Sequence, residues 1–129
     1  MISYLTYAGA AFALLIVGIF IFEATTKNKE FDLIFNKGNK TASLVLGGKA
    51  IGLALVLESA LRNSISLVDL LIWGAAGIVT QVVVYVLADL LTPKTKFYDA
   101  IEEDKVAVGL ALFFLSIAIG LVISGSLTY

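Results

Sequence analysis

Four long apolar segments, separated by charged loops, constrain the fold of this chain more than any other feature of its sequence. A helix of about 20 residues rises about 30 Å, which matches the thickness of the hydrocarbon core of a bilayer. We therefore predict an all-α integral membrane four-helix bundle that forms a single transmembrane domain over residues 1–129. The predicted spans are residues 2–22, 41–60, 66–92 and 106–127.

Composition narrows the chemistry that such a bundle can perform. Hydrophobic residues make up 60% of the chain and charged residues 15%, whereas about a quarter of the residues in a soluble domain are charged. Cysteine and histidine are absent, which excludes disulfides, thiolate or imidazole metal sites and nucleophilic triads that need either residue. A carboxylate-bound metal stays open. Because the net charge is −1 and no catalytic or phosphate-binding motif is present, we expect no enzyme activity, no cofactor and no nucleic-acid partner.

The placement of basic residues predicts the orientation in the membrane. Loops 23–40 and 93–105 fall on one side of the bilayer and hold most of the basic residues, whereas the loop on the other side has Arg62. By the positive-inside rule, both lysine-bearing loops are cytoplasmic and both termini lie outside. The lysines are Lys27, Lys29, Lys37, Lys40, Lys94, Lys96 and Lys105, and the tyrosines expected in the outer aromatic belt are Tyr4, Tyr7 and Tyr129.

The loop over residues 23–40 is itself amphipathic. Phe31, Ile34 and Phe35 fall on one side of a helical turn or two, with charged residues on the other. Such a segment is typical of a short helix that lies in the headgroup layer. We expect this surface to be available to a peripheral cytoplasmic protein.

The two halves of the chain, residues 1–64 and 65–129, resemble each other at an offset of about 66 residues. Glu23 at the end of the first span matches Asp89 at the end of the third, and Phe31 matches Phe97. Because each half holds two spans, the predicted repeats are parallel and related by an axis along the membrane normal.

The pattern Gly38-Asn39-Lys40-Thr41-Ala42, followed by Gly48 and Gly52, has a degenerate second copy over residues 101–109. With the length and the four-helix layout, this pattern resembles the DUF350 (UPF0719, YjfL-like) family of bacterial inner-membrane proteins. One departure is Lys105, where the family's second copy usually has an asparagine. The resemblance implies a multi-pass protein of the bacterial inner (cytoplasmic) membrane, and it implies no established activity or catalytic residue.

Lys49 is the sharpest candidate for a functional residue, because it lies near the middle of the second apolar segment. A cation within the bilayer costs about 2.5–3.5 kcal/mol on insertion scales, so it needs a partner. Gln81 and Tyr85 fall at a similar depth on the third span, and the lysine stem is long enough to reach toward Glu23 or Asp89. Two interpretations of Lys49 stay open: a structural ion pair or anchor, and a substrate or ion site or a charge that gates a pathway. For Glu23 and Asp89, the alternatives are acids that end a span at the interface and acids that form a cation-binding mouth.

Small residues predict close helix packing. Gly48 and Gly52 form one GxxxG pattern, and Gly120 with Ser124 forms a related small-xxx-small pattern. The patterns do not distinguish packing within a protomer from packing between protomers. Ser66 with Asp69 predicts an N-terminal helix cap.

Two functional hypotheses follow. In the first, the chain is a structural or interaction subunit that forms a homo-oligomer in the cell membrane and acts in envelope stress or membrane maintenance. In the second, it is an oligomeric channel or transporter for a small cation or polar solute, built from Lys49, Gln81 and the level of Glu23 and Asp89. We expect the lipid bilayer to be its environment in either case.

Overall fold

The computed structural model describes residues 2–25, 30–91 and 97–127, and within these ranges the chain forms six helices. Their bounds are α1 Ile2–Thr25, α2 Glu30–Lys37, α3 Lys40–Asn63, α4 Leu67–Leu90, α5 Phe97–Glu102 and α6 Val106–Ser126. Several residues used for the predicted orientation lie outside the described residues: Lys27, Lys29, Lys94, Lys96 and Tyr129.

Four of these helices, α1, α3, α4 and α6, are long and apolar enough to cross a membrane, which confirms the predicted all-α bundle of four spans. The helices α1 and α3 run to Thr25 and Asn63, past the predicted span ends at residues 22 and 60. The helical backbone continues there because its hydrogen bonds do not depend on the hydrocarbon layer, and polar side chains favour the headgroup region. The helix α4 begins after Ser66, whose hydroxyl accepts the N–H of Asp69 at 3.1 Å, as predicted.

The helix α3 is the centre of the bundle, because it contacts each of the other five described helices. Its buried side chains divide the core into two parts. One part includes Phe22, Leu53 and Tyr85 and lies toward the end where α2 and α5 pack, which we call the α2/α5 end. The other part, toward the opposite end, is formed by Val56, Ala60, Leu70, Ile119, Ile123 and Leu127.

The helices α3 and α6 run parallel and lie so close together that their backbones are in contact. A Cβ atom on Gly48 would lie 2.7 Å from the Cα atom of Phe113, and one on Gly120 would lie 2.6 Å from the Cα atom of Gly52. Both distances are shorter than van der Waals contact, so only glycine fits at these positions. The glycine patterns of these two helices therefore face each other inside the protomer.

The remaining packing candidate, Ser124, contributes through its backbone. Its carbonyl oxygen accepts the hydroxyl of Ser59 at 2.6 Å. Near the opposite end of the same helix pair, a Cβ atom on Gly109 would lie 2.9 Å from Cγ2 of Thr41. Contact thus extends along most of the length of α3 and α6.

Polar contacts at the α2/α5 end join the two halves of the chain. Asn39 caps α3 by accepting the N–H of Ala42 at 2.8 Å, and its Nδ2 donates to the carbonyl of Ile101 at 2.7 Å. Asp104 accepts the backbone N–H of Thr41 at 2.8 Å and its hydroxyl at 2.7 Å. These two bonds, the backbone bond first, hold the pKa of Asp104 below its ordinary range.

The element order is the same in both halves: a long helix, a short helix and a second long helix. Gly38 and Asp104, which precede the second long helix of each half, both have positive φ angles, 63° and 55°. Gly and Asp tolerate this left-handed conformation better than most residues. The sequence repeat itself stays a prediction, and this order is compatible with it.

Candidate functional site: a buried lysine and its carboxylates

Lys49 is closed off inside the bundle by a carboxylate. Its side chain is 1% exposed, and its Nζ contacts Oε1 of Glu30, which is also 1% exposed. Helix length predicts Glu23 or Asp89 as the partner of this lysine. Glu30 takes that place because α2 folds back against α3 and buries its first residue together with Leu33.

Two aromatic rings complete the surroundings of the ammonium group. Nζ of Lys49 lies 5.0 Å from the ring centroid of Phe22 and 4.7 Å from that of Tyr85. The two rings meet edge to face, with centroids 5.6 Å apart. Ring faces attract a desolvated cation, so α1 and α4 both help to stabilise the charge that α3 carries.

The predicted acids Glu23 and Asp89 lie around this ion pair. Oε1 of Glu23 accepts the backbone N–H of Glu30 at 2.9 Å, which brings the Glu23 carboxyl group next to the residue that contacts Lys49. Asp89 lies near the end of α4, one helical turn beyond Tyr85, whose ring contacts the ammonium group of Lys49. Four of the five predicted polar site residues, Lys49, Tyr85, Glu23 and Asp89, therefore meet at the α2/α5 end.

Gln81 occupies a separate position, one helical turn before Tyr85 on α4. It is fully buried, and its amide lies against Gly52, where a Cβ atom would also meet the carbonyl oxygen of Ser116 at 2.5 Å. Within residues 2–25, 30–91 and 97–127, neither amide atom of Gln81 has a hydrogen-bond partner, and neither does the hydroxyl of Ser116. Buried polar groups are rarely left unpaired, so these two side chains form the second unusual feature of the bundle.

On the side of Gln81 that faces away from the α2/α5 end, the centre of the bundle is apolar. Gly77 precedes Gln81 by one turn of α4, and a Cβ atom on it would meet the side chains of Val56, Leu127 and Ile123. The buried polar groups of the Lys49 cluster and Gln81 thus lie on the α2/α5 side of this apolar layer. An ion that entered at the α2/α5 end would have to cross that layer to traverse a single protomer.

Sequence reasoning missed Glu30, the residue that contacts Lys49. One pattern could have indicated it: Glu30 precedes Leu33 by three residues, so the two share one face of the amphipathic α2. An acid on the core-facing side of such a helix predicts a buried cationic partner.

Comparison with known proteins places the chain among membrane proteins. A family model described as Domain of Unknown Function (DUF350) matches residues 1–127. The chain is 29% identical over 127 residues to the UPF0719 transmembrane protein YshE of Bacillus subtilis (strain 168), covering 98% of this chain and 94% of that protein. It is 27% identical over 129 residues to the UPF0719 inner membrane protein YjfL of Escherichia coli (strain K12), covering 100% and 96%. No solved structure matches the chain.

Proposed function

This chain belongs to the DUF350 family, and we propose that it is a structural or interaction subunit that forms a homo-oligomer in the bacterial inner membrane. The observation that carries this proposal is the closure of Lys49 by Glu30 and two aromatic rings. A lysine that serves transport must exchange partners with a solute or with water. One that is paired and desolvated instead fixes the position of the helices around it.

The distribution of small residues supports assembly through the outer surface of α1 and α3. The GxxxG faces of α3 and α6 are already occupied within the protomer, so they are not available to another copy. A lipid-facing groove of about 220 Å³ runs between α1 and α3 instead. Small and apolar residues line most of it, including Ala8, Ala11 and Ala54, which would let a helix of a second copy approach closely.

The proposal includes the orientation and the setting. With the α2/α5 end in the cytoplasm, the described lysines Lys37, Lys40 and Lys105 follow the positive-inside rule. The exposed rings of Phe31 and Phe35 would then face the inner headgroup layer or a peripheral cytoplasmic protein. A role in envelope stress or membrane maintenance would use this surface as the point of contact.

A second candidate function, a channel or transporter for a small cation or polar solute, has one specific observation in its favour. The unpaired amide of Gln81 and hydroxyl of Ser116 are groups that a permeating solute or water would satisfy. Four helices leave little room for a pore within one protomer, so this function requires an oligomer in which the Lys49 cluster and Gln81 line a path between copies.

A flux measurement in proteoliposomes separates the two functions. Wild type is compared with Lys49→Met, and Arg62→Met is the matched control because that cation is exposed and pairs with Glu58 on the surface of α3. The structural proposal expects no ion or solute flux from any variant, and an oligomer that Lys49→Met weakens and Arg62→Met does not. Flux in wild type that Lys49→Met changes would overturn the structural proposal in favour of the channel.

A further inference from the structure

The helix α2 packs against α3 as the first arm of a helical hairpin. Gly38 and Asn39 alone separate the two helices, and the N–H of Asn39 donates to the carbonyl of Leu33 at 2.9 Å. At the other end of α2, Glu30 contacts Lys49. Two antiparallel helices joined by such a short loop lie side by side, so α2 runs along the first part of α3 and not across its end.

The length of α2 indicates how far it reaches into the membrane. Its 8 residues rise about 12 Å, and the segment of α3 from Lys40 to Lys49 rises about 14 Å. Between these two lysines, residues 41–48 of α3 carry no charge, and they belong to a helix that is long and apolar enough to cross a membrane. The helix α2 therefore lies beside a membrane-spanning segment over most of its length.

Three phenylalanine rings form a row along the outer surface of α1 and α2. The ring centroids of Phe20 and Phe31 lie 6.4 Å apart, and those of Phe31 and Phe35 lie 6.4 Å apart in a stacked arrangement. Phe20 belongs to the spanning helix α1, where it shares an exposed face with Phe12 and Ile16 at intervals of four residues. An exposed apolar face of a spanning helix contacts acyl chains, and the row continues that face onto α2.

The other outward residues of α2 are polar. Asp32 and Asn36 are exposed, follow Phe31 and Phe35 by one residue each, and contact each other. A short helix with an apolar face beside a polar one is typical of the boundary between acyl chains and headgroups. We propose that Phe31 and Phe35 insert among the acyl chains of the adjoining leaflet, so that lipid covers the outside of α2 while its inside closes over Lys49.

The geometry favours lipid over a protein as the occupant of this surface. A soluble partner would have to bind Phe31 directly beside Phe20, whose ring lies on a spanning helix. The groove proposed for a second copy is lined by other residues, including Ala8, Ala11 and Ala54, and none of its lining residues belongs to α2. The inference requires only that the chain spans a bilayer, so it does not rest on the proposed homo-oligomer.

The accessibility of nitroxide labels in vesicles tests the insertion. The chain has no cysteine, so single labels are attached through Phe35→Cys and Asn36→Cys, with Val17→Cys on the exposed surface of α1 as the lipid reference. The full-length protein is reconstituted in vesicles of phosphatidylethanolamine and phosphatidylglycerol. Oxygen concentrates among acyl chains and a nickel chelate stays in water, so the ratio of their collision rates with a label reports its surroundings. We expect the Phe35→Cys label to match the Val17→Cys label and the Asn36→Cys label to have a several-fold lower ratio of oxygen to nickel collisions.

Two results would overturn the proposal. A Phe35→Cys label that meets the nickel chelate as often as the Asn36→Cys label does would place this surface in water, where a soluble protein could bind it. A Phe35→Cys label that is shielded from both reagents would place the surface against protein, such as a second copy of this chain.

A tryptophan measurement keeps an aromatic ring at the tested position. Phe35→Trp and Asn36→Trp are each combined with Trp73→Phe, because Trp73 is the single tryptophan of the chain. Lipids that carry bromine on their acyl chains quench a tryptophan that they contact, so we expect several-fold stronger quenching in Phe35→Trp than in Asn36→Trp. Equal quenching would contradict the insertion, even if the cysteine variants fail to fold. Neither readout requires the protein to be an oligomer, so the two proposals can fail separately.

Discussion

The ion pair between Lys49 and Glu30 makes a quantitative prediction about stability. Lys49→Met leaves a buried carboxylate without its cation, and Glu30→Met leaves a buried ammonium group without its nearest anion. Breaking one partner of a buried pair costs about 3–5 kcal/mol, whereas replacing both with apolar residues of similar size is often neutral or stabilising. We therefore expect each single variant to lose free energy of unfolding and the double variant to recover it.

The groups around the ion pair should keep the loss of free energy of unfolding in each single variant at the lower end of the range of about 3–5 kcal/mol. In Glu30→Met, the ammonium group keeps the rings of Phe22 and Tyr85 as well as the nearby Glu23. Each single variant should thus lose about 3 kcal/mol, roughly a hundredfold in the unfolding equilibrium, and the double variant should lie within about 1 kcal/mol of wild type.

The assay is reversible unfolding in mixed micelles, arranged as a double-mutant cycle. Glu58→Met with Arg62→Met provides the control cycle, because that pair is 54% and 71% exposed and should show little coupling. If the effects of Lys49→Met and Glu30→Met simply add, the two side chains do not act as a pair and the reasoning is refuted.

Three further predictions concern other positions. Gly48→Ala should destabilise by about 1–3 kcal/mol in the same assay, since its Cβ would meet the backbone of Phe113. Gly47→Ala should be neutral or stabilising by up to about 1 kcal/mol, because no atom of the described residues lies within 4 Å of its Cβ; equal effects of the two variants would exclude close α3–α6 contact. Gln81→Met should raise the free energy of unfolding by about 1–3 kcal/mol because an unpaired amide is removed, and a loss instead would indicate that water or a solute satisfies it. Asp104 has a lowered pKa, so its contribution to stability is complete above about pH 4 and is lost as the pH falls through the pKa of the folded state. Asp104→Asn keeps a hydrogen-bond acceptor but removes the charge. The difference in free energy of unfolding between wild type and Asp104→Asn should therefore change with pH only in that acidic range. A difference that stays constant across that range would contradict the lowered pKa.

The fold was predictable because its cause is local. Each span has enough apolar residues to cross the bilayer, and the number of spans does not depend on long-range contacts. The approach of α3 to α6 was half predictable: Gly48 and Gly52 indicated a close contact but not its partner. Which helix packs against Gly48 and Gly52 depends on how the surfaces of the four spanning helices fit together. Because these helices have similar apolar compositions, the sequence does not distinguish between the possible partners.

The sequence predicted how deep the site residues lie in the bilayer, but it did not predict which residue pairs with Lys49. Lys49, Tyr85, Glu23 and Asp89 could be placed at one level from helix length alone, since each residue of a helix adds about 1.5 Å along the axis. The contact of Glu30 with Lys49 was not predicted, because Glu30 lies in a segment that connects two spans, and the sequence does not fix the direction in which such a segment runs. Its burial results from α2 folding back onto α3, and no spacing within the four spans encodes that turn.

The pair has a consequence that stability alone does not reveal. If apolar residues at both positions would support the bundle equally well, the value of the ion pair lies in fixing α2, a helix of 8 residues that is too short to be stable by itself. The variant Lys49→Met with Glu30→Met should therefore unfold like wild type yet hold α2 in several positions. The chain has no cysteine, so a spin label attached through Asn36→Cys, an exposed site on α2, reports this directly. Its distance to a second label on Thr80→Cys, an exposed site on α4, should broaden only in the double variant, and an unchanged narrow distribution would show that Leu33 and the aromatic contacts suffice to place α2.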